Sequence, residues 1–284
     1  DMRIGFIGLG EAGYFIAKGL GGEGIKGIKA YDVALTLNGD YRKTVISRAE
    51  DAGVELLDSI AAITGACNVV FCAVQAQYAA DVAGCALPEM EPGSVYIDVT
   101  TAMPRQKEAI AEKFALAGVN YVDGAMMGSL PLDAHKVPML CSGEDAAKIC
   151  AVLNSYGMRM QYVPGKAGMA STQKLVRSSF TKSLEAVAVE TFLFARKMGV
   201  ADETLESLNN SCANNSSGGT ITRRTRIAAM HAECRTHQVA DCVALMRERV
   251  VAHFNHVATV VRLGRTASLQ STDKHSGDSP NGPT

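Results

Sequence analysis

The 284-residue sequence predicts an α/β protein: an N-terminal, doubly wound, mainly parallel sheet followed by an all-α C-terminal domain. Three observations predict it. The chain opens on a short apolar run that ends in Gly8-Leu9-Gly10-Glu11-Ala12-Gly13 and passes into a helix-like segment. Strand-like and helix-like stretches then alternate as far as Gly165, the rhythm of β-α-β units built on a parallel sheet. Beyond that residue the strand rhythm does not return, and the pattern is helical.

The first strand is expected over residues 3–9, and its exit carries the most chemistry. In a Gly-x-Gly-x-x-Gly turn, Gly8 permits the tight bend, Gly10 lets the backbone approach a pyrophosphate, and Gly13 allows close packing of helix on strand. Leu9, Glu11 and Ala12 complete the loop and count with the glycines as cofactor-binding residues. The next apolar stretch ends at Asp32, where an acidic residue about 20 positions after the glycines would hold an adenosine ribose through its hydroxyls. This is the signature of a Rossmann-type, dinucleotide-binding domain. An acid at that place favours NAD by repelling a 2′-phosphate, so NAD is the expected cofactor; Arg42 and Lys43 leave NADP open.

Further strands are expected at 28–31, 54–56, 68–74, 95–99, 120–122, 137–141 and 159–163. Helices are expected at 12–20, 44–52, 58–64, 78–85, 104–117 and 145–155. The strand at 68–74 is an unbroken apolar run from Val69, and Pro104 and Gly118 bracket the fifth helix in their favoured places. From 167 to 198 the chain is Ala-rich and nearly free of breakers. After Leu175, the residues Phe180, Leu184, Val187, Thr191 and Phe194 recur there at three- and four-residue steps, and Gly199 ends the helix. Shorter helices are expected at 201–208, 219–231 and 236–249. The expected domains are therefore a cofactor domain over 1–165 and a helical substrate and dimerisation domain over 166–267. A tail over 268–284, rich in Ser, Gly, Asp and Pro, is expected to be disordered or peripheral.

Composition narrows the function. Hydrophobic residues make up 47%, enough for a sizeable core, and the net charge of −1 gives no electrostatic case for nucleic acid. No apolar run reaches transmembrane length, so no membrane partner is expected, nor a signal peptide ahead of the first strand. The eight cysteines form no Cys-x-x-Cys and several sit in apolar runs, which fits free thiols and a cytoplasmic location. His231, Cys234 and His237, with Cys242 beyond, are spaced so that they drift around a helix axis; no metal site is expected.

Four segments, in order, resemble the β-hydroxyacid dehydrogenases, the family of 3-hydroxyisobutyrate and 6-phosphogluconate dehydrogenases. They are Gly8 to Gly13; Asp98-Val99-Thr100-Thr101-Ala102-Met103-Pro104; Asp123-Gly124-Ala125-Met126-Met127-Gly128-Ser129; and Gly168-Met169-Ala170-Ser171-Thr172-Gln173-Lys174-Leu175-Val176-Arg177-Ser178. The departures are Ala12 for the family's methionine, Met127 for its substrate-loop serine, Ser129 for its second loop glycine and Ser178 for its asparagine. They make the chain most similar to a divergent branch with its own C-terminal helical domain, whose His-x-x-Arg-Arg-like segment is partly matched by His231 to Arg235.

The resemblance implies hydride transfer between a nicotinamide cofactor and a small acidic β-hydroxy acid or its oxo form, with Lys174 as general acid/base. Ser178, four residues on, shares its helix face and joins it as a catalytic residue. Val74 and Gln75 after the fourth strand, and Thr100 and Thr101 after the fifth, would line the cofactor. Met127, Gly128 and Ser129 would present donors to a substrate carboxylate, and His231 belongs to the same substrate group. Arg223, Arg224 and Arg226 form a basic knot that could reach a neighbouring subunit's site. Apolar residues on several sides of the long helix, among them Val176, Val189, Phe192 and Leu193, predict a homodimer. Imine reduction on the same architecture and non-catalytic dinucleotide binding are the competing readings; Lys174 argues against both.

Overall fold

The computed structural model describes residues 2–213, and over them the expected alternation becomes eight strands and nine helices. The first half-sheet comprises β1 (Ile4–Ile7), α1 (Glu11–Gly22), β2 (Lys29–Tyr31), α2 (Asp40–Ala52), β3 (Glu55–Leu56) and α3 (Ile60–Ala66). Then come β4 (Val69–Cys72), α4 (Ala79–Ala86), β5 (Val95–Asp98), α5 (Pro104–Leu116) and β6 (Asn120–Met126). The chain continues through α6 (Leu130–Asp133), β7 (Pro138–Ser142), α7 (Ala146–Asn154) and β8 (Arg159–Tyr162) into α8 (Met169–Lys197) and α9 (Ala201–Ala213).

One sheet holds all eight strands in the order β3-β2-β1-β4-β5-β6-β7-β8. Every pairing is parallel except β6 with β7, where Asp123 faces Ser142 and Met126 faces Met139. Strands β1, β4 and β5 are buried at every position, which is why they read as apolar runs, broken in β5 only by its last residue, Asp98. Phe6 and Phe71 stack across β1 and β4 with ring centroids 4.9 Å apart, inside one apolar layer. Tyr96, Phe114 and Tyr121 form an aromatic cluster within the second. Chain order reverses between β1 and β4, so the parallel strands leave a crevice at their carboxyl ends, where ligands of open α/β sheets bind.

Three details depart from the sequence expectation. Strand β6 runs four residues past 122, because Asp123 and Gly124, which interrupt the apolar run, pair with β7. Helix α2 begins at Asp40, with Gly39 as its N-cap. The turn α6 was not expected; Pro131 sits in its first turn, where a missing N–H costs nothing.

The chain divides into two compact units. The first is Asp1–Leu175, and the second begins at Val176, so the border falls within α8. In the second unit Phe192 and Ala195 are buried, whereas Val176, Phe180, Val187 and Phe194 are exposed. No helix among the described residues is long and apolar enough to cross a membrane. The helices expected at 219–231 and 236–249, the His231–Cys242 group, the arginine knot and the 268–284 tail lie outside the described residues.

Candidate active site

The glycine turn is built from two different constraints. Gly8 has φ +96°, and a Cβ there would stand 2.7 Å from the Ala73 carbonyl oxygen of the β4 exit. At Gly13 a Cβ would overlap the Gly8 carbonyl oxygen. Both positions are closed to side chains by the protein itself. Gly10, the N-cap of α1, is different: a Cβ there meets nothing within 4 Å. The open space lies before a helix N-terminus that no side chain caps. Unpaired N–H groups and the positive end of the helix dipole favour an anion there, so the residues fit a dinucleotide pyrophosphate.

Asp32 follows β2 and ties this turn to the next loop. Its Oδ2 accepts from the Leu9 N–H at 2.8 Å and its Oδ1 from the Ala34 N–H at 2.9 Å. Arg48 on α2 donates to the Leu9 carbonyl at 3.2 Å, so the Leu9 peptide is held on both sides. Each carboxylate oxygen keeps a lone pair for a ribose hydroxyl. Arg42 donates to the Leu35 carbonyl at 2.8 Å and Lys43 pairs with Asp40 at 3.2 Å, so both cations are engaged locally. Val74 is half-buried and Gln75 exposed at the β4 exit. At the β5 exit, buried Thr100 spends its N–H on Asp98 and accepts the Ala102 N–H on its hydroxyl, leaving Thr101 exposed.

Lys174 lies on α8, within the first unit and half-buried. Burial lowers the pKa of its amine; the nearby Lys107 charge lowers it further, while Asp123 opposes the shift. The amine is therefore readied to act as a base at lower pH than an exposed lysine. No ion pair within 4 Å engages it among the described residues. Ser178 is half-buried one turn further along the same helix.

The helix that carries Lys174 starts on Asp123. This buried carboxylate accepts the N–H groups of Gly168 (3.0 Å) and Ser171 (2.9 Å) and the Ser171 hydroxyl (2.6 Å). Ser142 of β7 donates to it at 3.3 Å and accepts the Ala170 N–H at 3.0 Å. Beneath lies Lys107, fully buried, 2.9 Å from Asp123 Oδ1 and 3.5 Å from Asp98 Oδ1. Tyr121 donates to Asp98 Oδ2 at 2.6 Å, and burial beside that carboxylate pushes the phenol's pKa well up. Sequence reasoning quoted Asp98 and Asp123 only as motif members and missed Lys107. The available signal was its place on the buried stripe of α5, with Ile110 and Phe114.

In the 127–129 loop, Met127 N–H is taken by the Pro138 carbonyl at 2.7 Å, leaving exposed Gly128 and Ser129 to face solvent. A Cβ at Gly128 would stand 3.0 Å from the Asp133 carboxylate, so the loop folds back on α6. His231 lies outside the described residues.

The strand order, the glycine turn and the acid after β2 define a dinucleotide-binding α/β protein. The family model for the NAD binding domain of 6-phosphogluconate dehydrogenase matches residues 3–164, and the chain belongs to that β-hydroxyacid dehydrogenase-like family. It is 31% identical over 210 residues to an uncharacterized 28.5 kDa protein of Methanothermus fervidus, spanning 74% of this chain and 77% of the relative. It is 28% identical to the L-threonate dehydrogenase of Cupriavidus necator, over 76% and 72% of the two chains. It also superposes with TM-score 0.66 on a conserved protein of unknown function whose structure was found similar to 3-hydroxyacid dehydrogenases. The identity there is 26%, with 90% and 96% of the chains covered. NAD(P) is accordingly the cofactor class of this domain.

Proposed function

We propose that the protein oxidises a small acidic β-hydroxy acid, or reduces its oxo form, with NAD(P) and Lys174 as general base and acid. The observation that carries the reading is the half-buried position of Lys174 near the start of α8, where burial lowers the pKa of its amine, in a chain whose cofactor turn fits a dinucleotide. When bound, the nicotinamide supplies a two-electron hydride acceptor. The turn from Gly8 to Gly13 holds the pyrophosphate, Asp32 the adenosine ribose, and Val74, Gln75, Thr100 and Thr101 flank the remaining part of the cofactor. Lys174 Nζ takes the hydroxyl proton during oxidation and returns it in reduction. Ser178 orients the hydroxyl or the amine, while Gly128, Ser129 and His231 hold the carboxylate end; Met127, whose N–H is spent on the Pro138 carbonyl, has no donor left for it and lines the loop. The threonate relative supports a small hydroxy acid as the substrate class. Incubating the protein with a panel of hydroxy acids and each cofactor, and reading absorbance at the reduced nicotinamide band, tests this: at least one acid must give turnover.

Asp32 is the residue we assign to cofactor choice. Asp32→Ser should shift the preference from NAD toward NADP by about tenfold or more, by removing the charge that repels a 2′-phosphate. It should also loosen the turn slightly, because serine cannot accept from both Leu9 and Ala34. Titration of both cofactors against wild type and variant checks this; a wild type that already prefers NADP contradicts it.

The same reading places the cofactor domain over 1–165 and the substrate and dimer domain over 166–267. It also places the protein in a reducing cytoplasm, where Cys67, Cys72, Cys141 and Cys150 remain buried thiols. Exposed Val176, Phe180, Val187 and Phe194 along α8 supply apolar surface for a homodimer. Light scattering across micromolar concentrations should give the dimer mass; a monomer throughout overturns that part.

A further inference from the structure

The strongest feature that the proposed chemistry does not use is the sealed charge cluster beneath α8. Lys107 is 0% exposed, Asp98 1% and Asp123 0%. One ammonium lies between two carboxylates, with its Nζ 3.0 Å from the Asp98 carbonyl as well. Such clusters are poor investments in stability, because desolvation offsets most of the attraction and apolar residues of similar size often do as well. A neutral acceptor would suffice to receive the N–H groups of Gly168 and Ser171. The cluster's place suggests its use. Ser171, bonded to Asp123 through both N–H and hydroxyl, precedes Lys174 by three residues and so shares its helix face.

We propose that Lys107 and Asp123 are positioning residues for the Lys174 amine: a sealed ion pair that anchors the helix under it and sets its electrostatic surroundings. The inference rests on the reading of Lys174 as the general base. Asp123 fixes where the helix starts, through three hydrogen bonds, and so fixes where the amine stands. Lys107 neutralises Asp123 from below, so that this carboxylate anchors the helix without drawing a proton onto Lys174. The charged groups that face Lys174 from the elements packed on it are Lys107 on α5 and Asp123 on β6, and they act in opposite directions. Asp98 on β5 stands behind Lys107, and on α8 itself exposed Arg177 follows three residues later.

Two variants move the amine in opposite directions. Lys107→Met removes a positive neighbour and leaves two carboxylates unpaired, so the amine should hold its proton to higher pH. Asp123→Asn removes a negative neighbour in the same shape, so the amine should release its proton at lower pH. Each shift should be about one pH unit. Competitive acetylation of the full-length protein across pH, read by mass spectrometry at Lys174, measures the amine directly, and the pH profile of kcat/KM for oxidation measures its use. The rising limb of that profile should move up in Lys107→Met and down in Asp123→Asn. Should Lys107→Met not fold, Asp123→Asn decides. Labelling midpoints that match wild type, or that move in the same direction in both variants, overturn the proposal. Labelling that shifts as stated while the rate profile stays fixed leaves the ion pair's role standing and removes Lys174 from the chemistry, so the two readings fail separately.

Discussion

Lys174→Ala should abolish turnover while leaving dinucleotide affinity within a small factor of wild type. The two halves of this result come from different places in the fold. The cofactor turn is built by β1, the start of α1 and Asp32, and no atom of Lys174 contributes to it. The proposed proton path ends at the Lys174 amine, so on that reading its removal forfeits general acid/base help, which is worth on the order of 10² to 10⁴ in rate. Because the pKa is lowered, wild-type oxidation should rise with pH through the amine's pKa and level off at lower pH than an exposed lysine would allow. Reduction, which needs the protonated amine, should fall over the same range. Steady-state kinetics beside a cofactor titration checks both halves. Near-full kcat in the alanine variant would remove Lys174 from the mechanism.

Gly13→Ala and Gly10→Ala should fail in opposite ways. At Gly13 the new methyl overlaps the Gly8 carbonyl, which is backbone and cannot rotate aside. The overpacking should cost about 1–3 kcal/mol, a fall in Tm of roughly 2–12 °C at the ~2–4 °C per kcal/mol of a domain this size. At Gly10 the methyl meets no protein atom, so Tm should stay at the wild-type value. The same methyl stands where the proposed pyrophosphate site meets the backbone, and cofactor affinity should drop at least about tenfold, ~1.4 kcal/mol. Thermal melts with and without cofactor separate the two. A Gly10→Ala protein that melts normally and binds NAD(P) as well as wild type would mean that the open space at the α1 N-terminus is not the pyrophosphate site.

How much was legible in the sequence follows from which signals are local. All eight strands were readable, the central ones because a strand buried on both faces, such as Val69–Cys72, is a plain apolar run. The glycine turn was readable because the protein closes Gly8 and Gly13 to side chains, and Asp32 because an acid just after the second strand falls at a fixed distance from those glycines. The far end of β6 was not, since Asp123 and Gly124 look like a break until β7 pairs with them. Lys107 was invisible for a related reason. A lysine on a helix is ordinarily solvated, and only the meeting of β5 and β6 beside it supplies the carboxylates that let it be buried. Motif spacing points to side chains whose setting is local; Lys107, whose partners come from two distant strands, it does not reach.

The most direct test of the whole account is isotopic. A hydroxy acid that turns over in the panel is prepared with deuterium on the carbon bearing the hydroxyl, and the reduced cofactor is isolated after reaction with the wild-type protein. The account predicts that the reduced nicotinamide carries the deuterium, while Lys174→Ala under the same conditions yields almost no reduced cofactor although it binds NAD(P). Reduced cofactor without the label, or no reduction with any hydroxy acid, would contradict it.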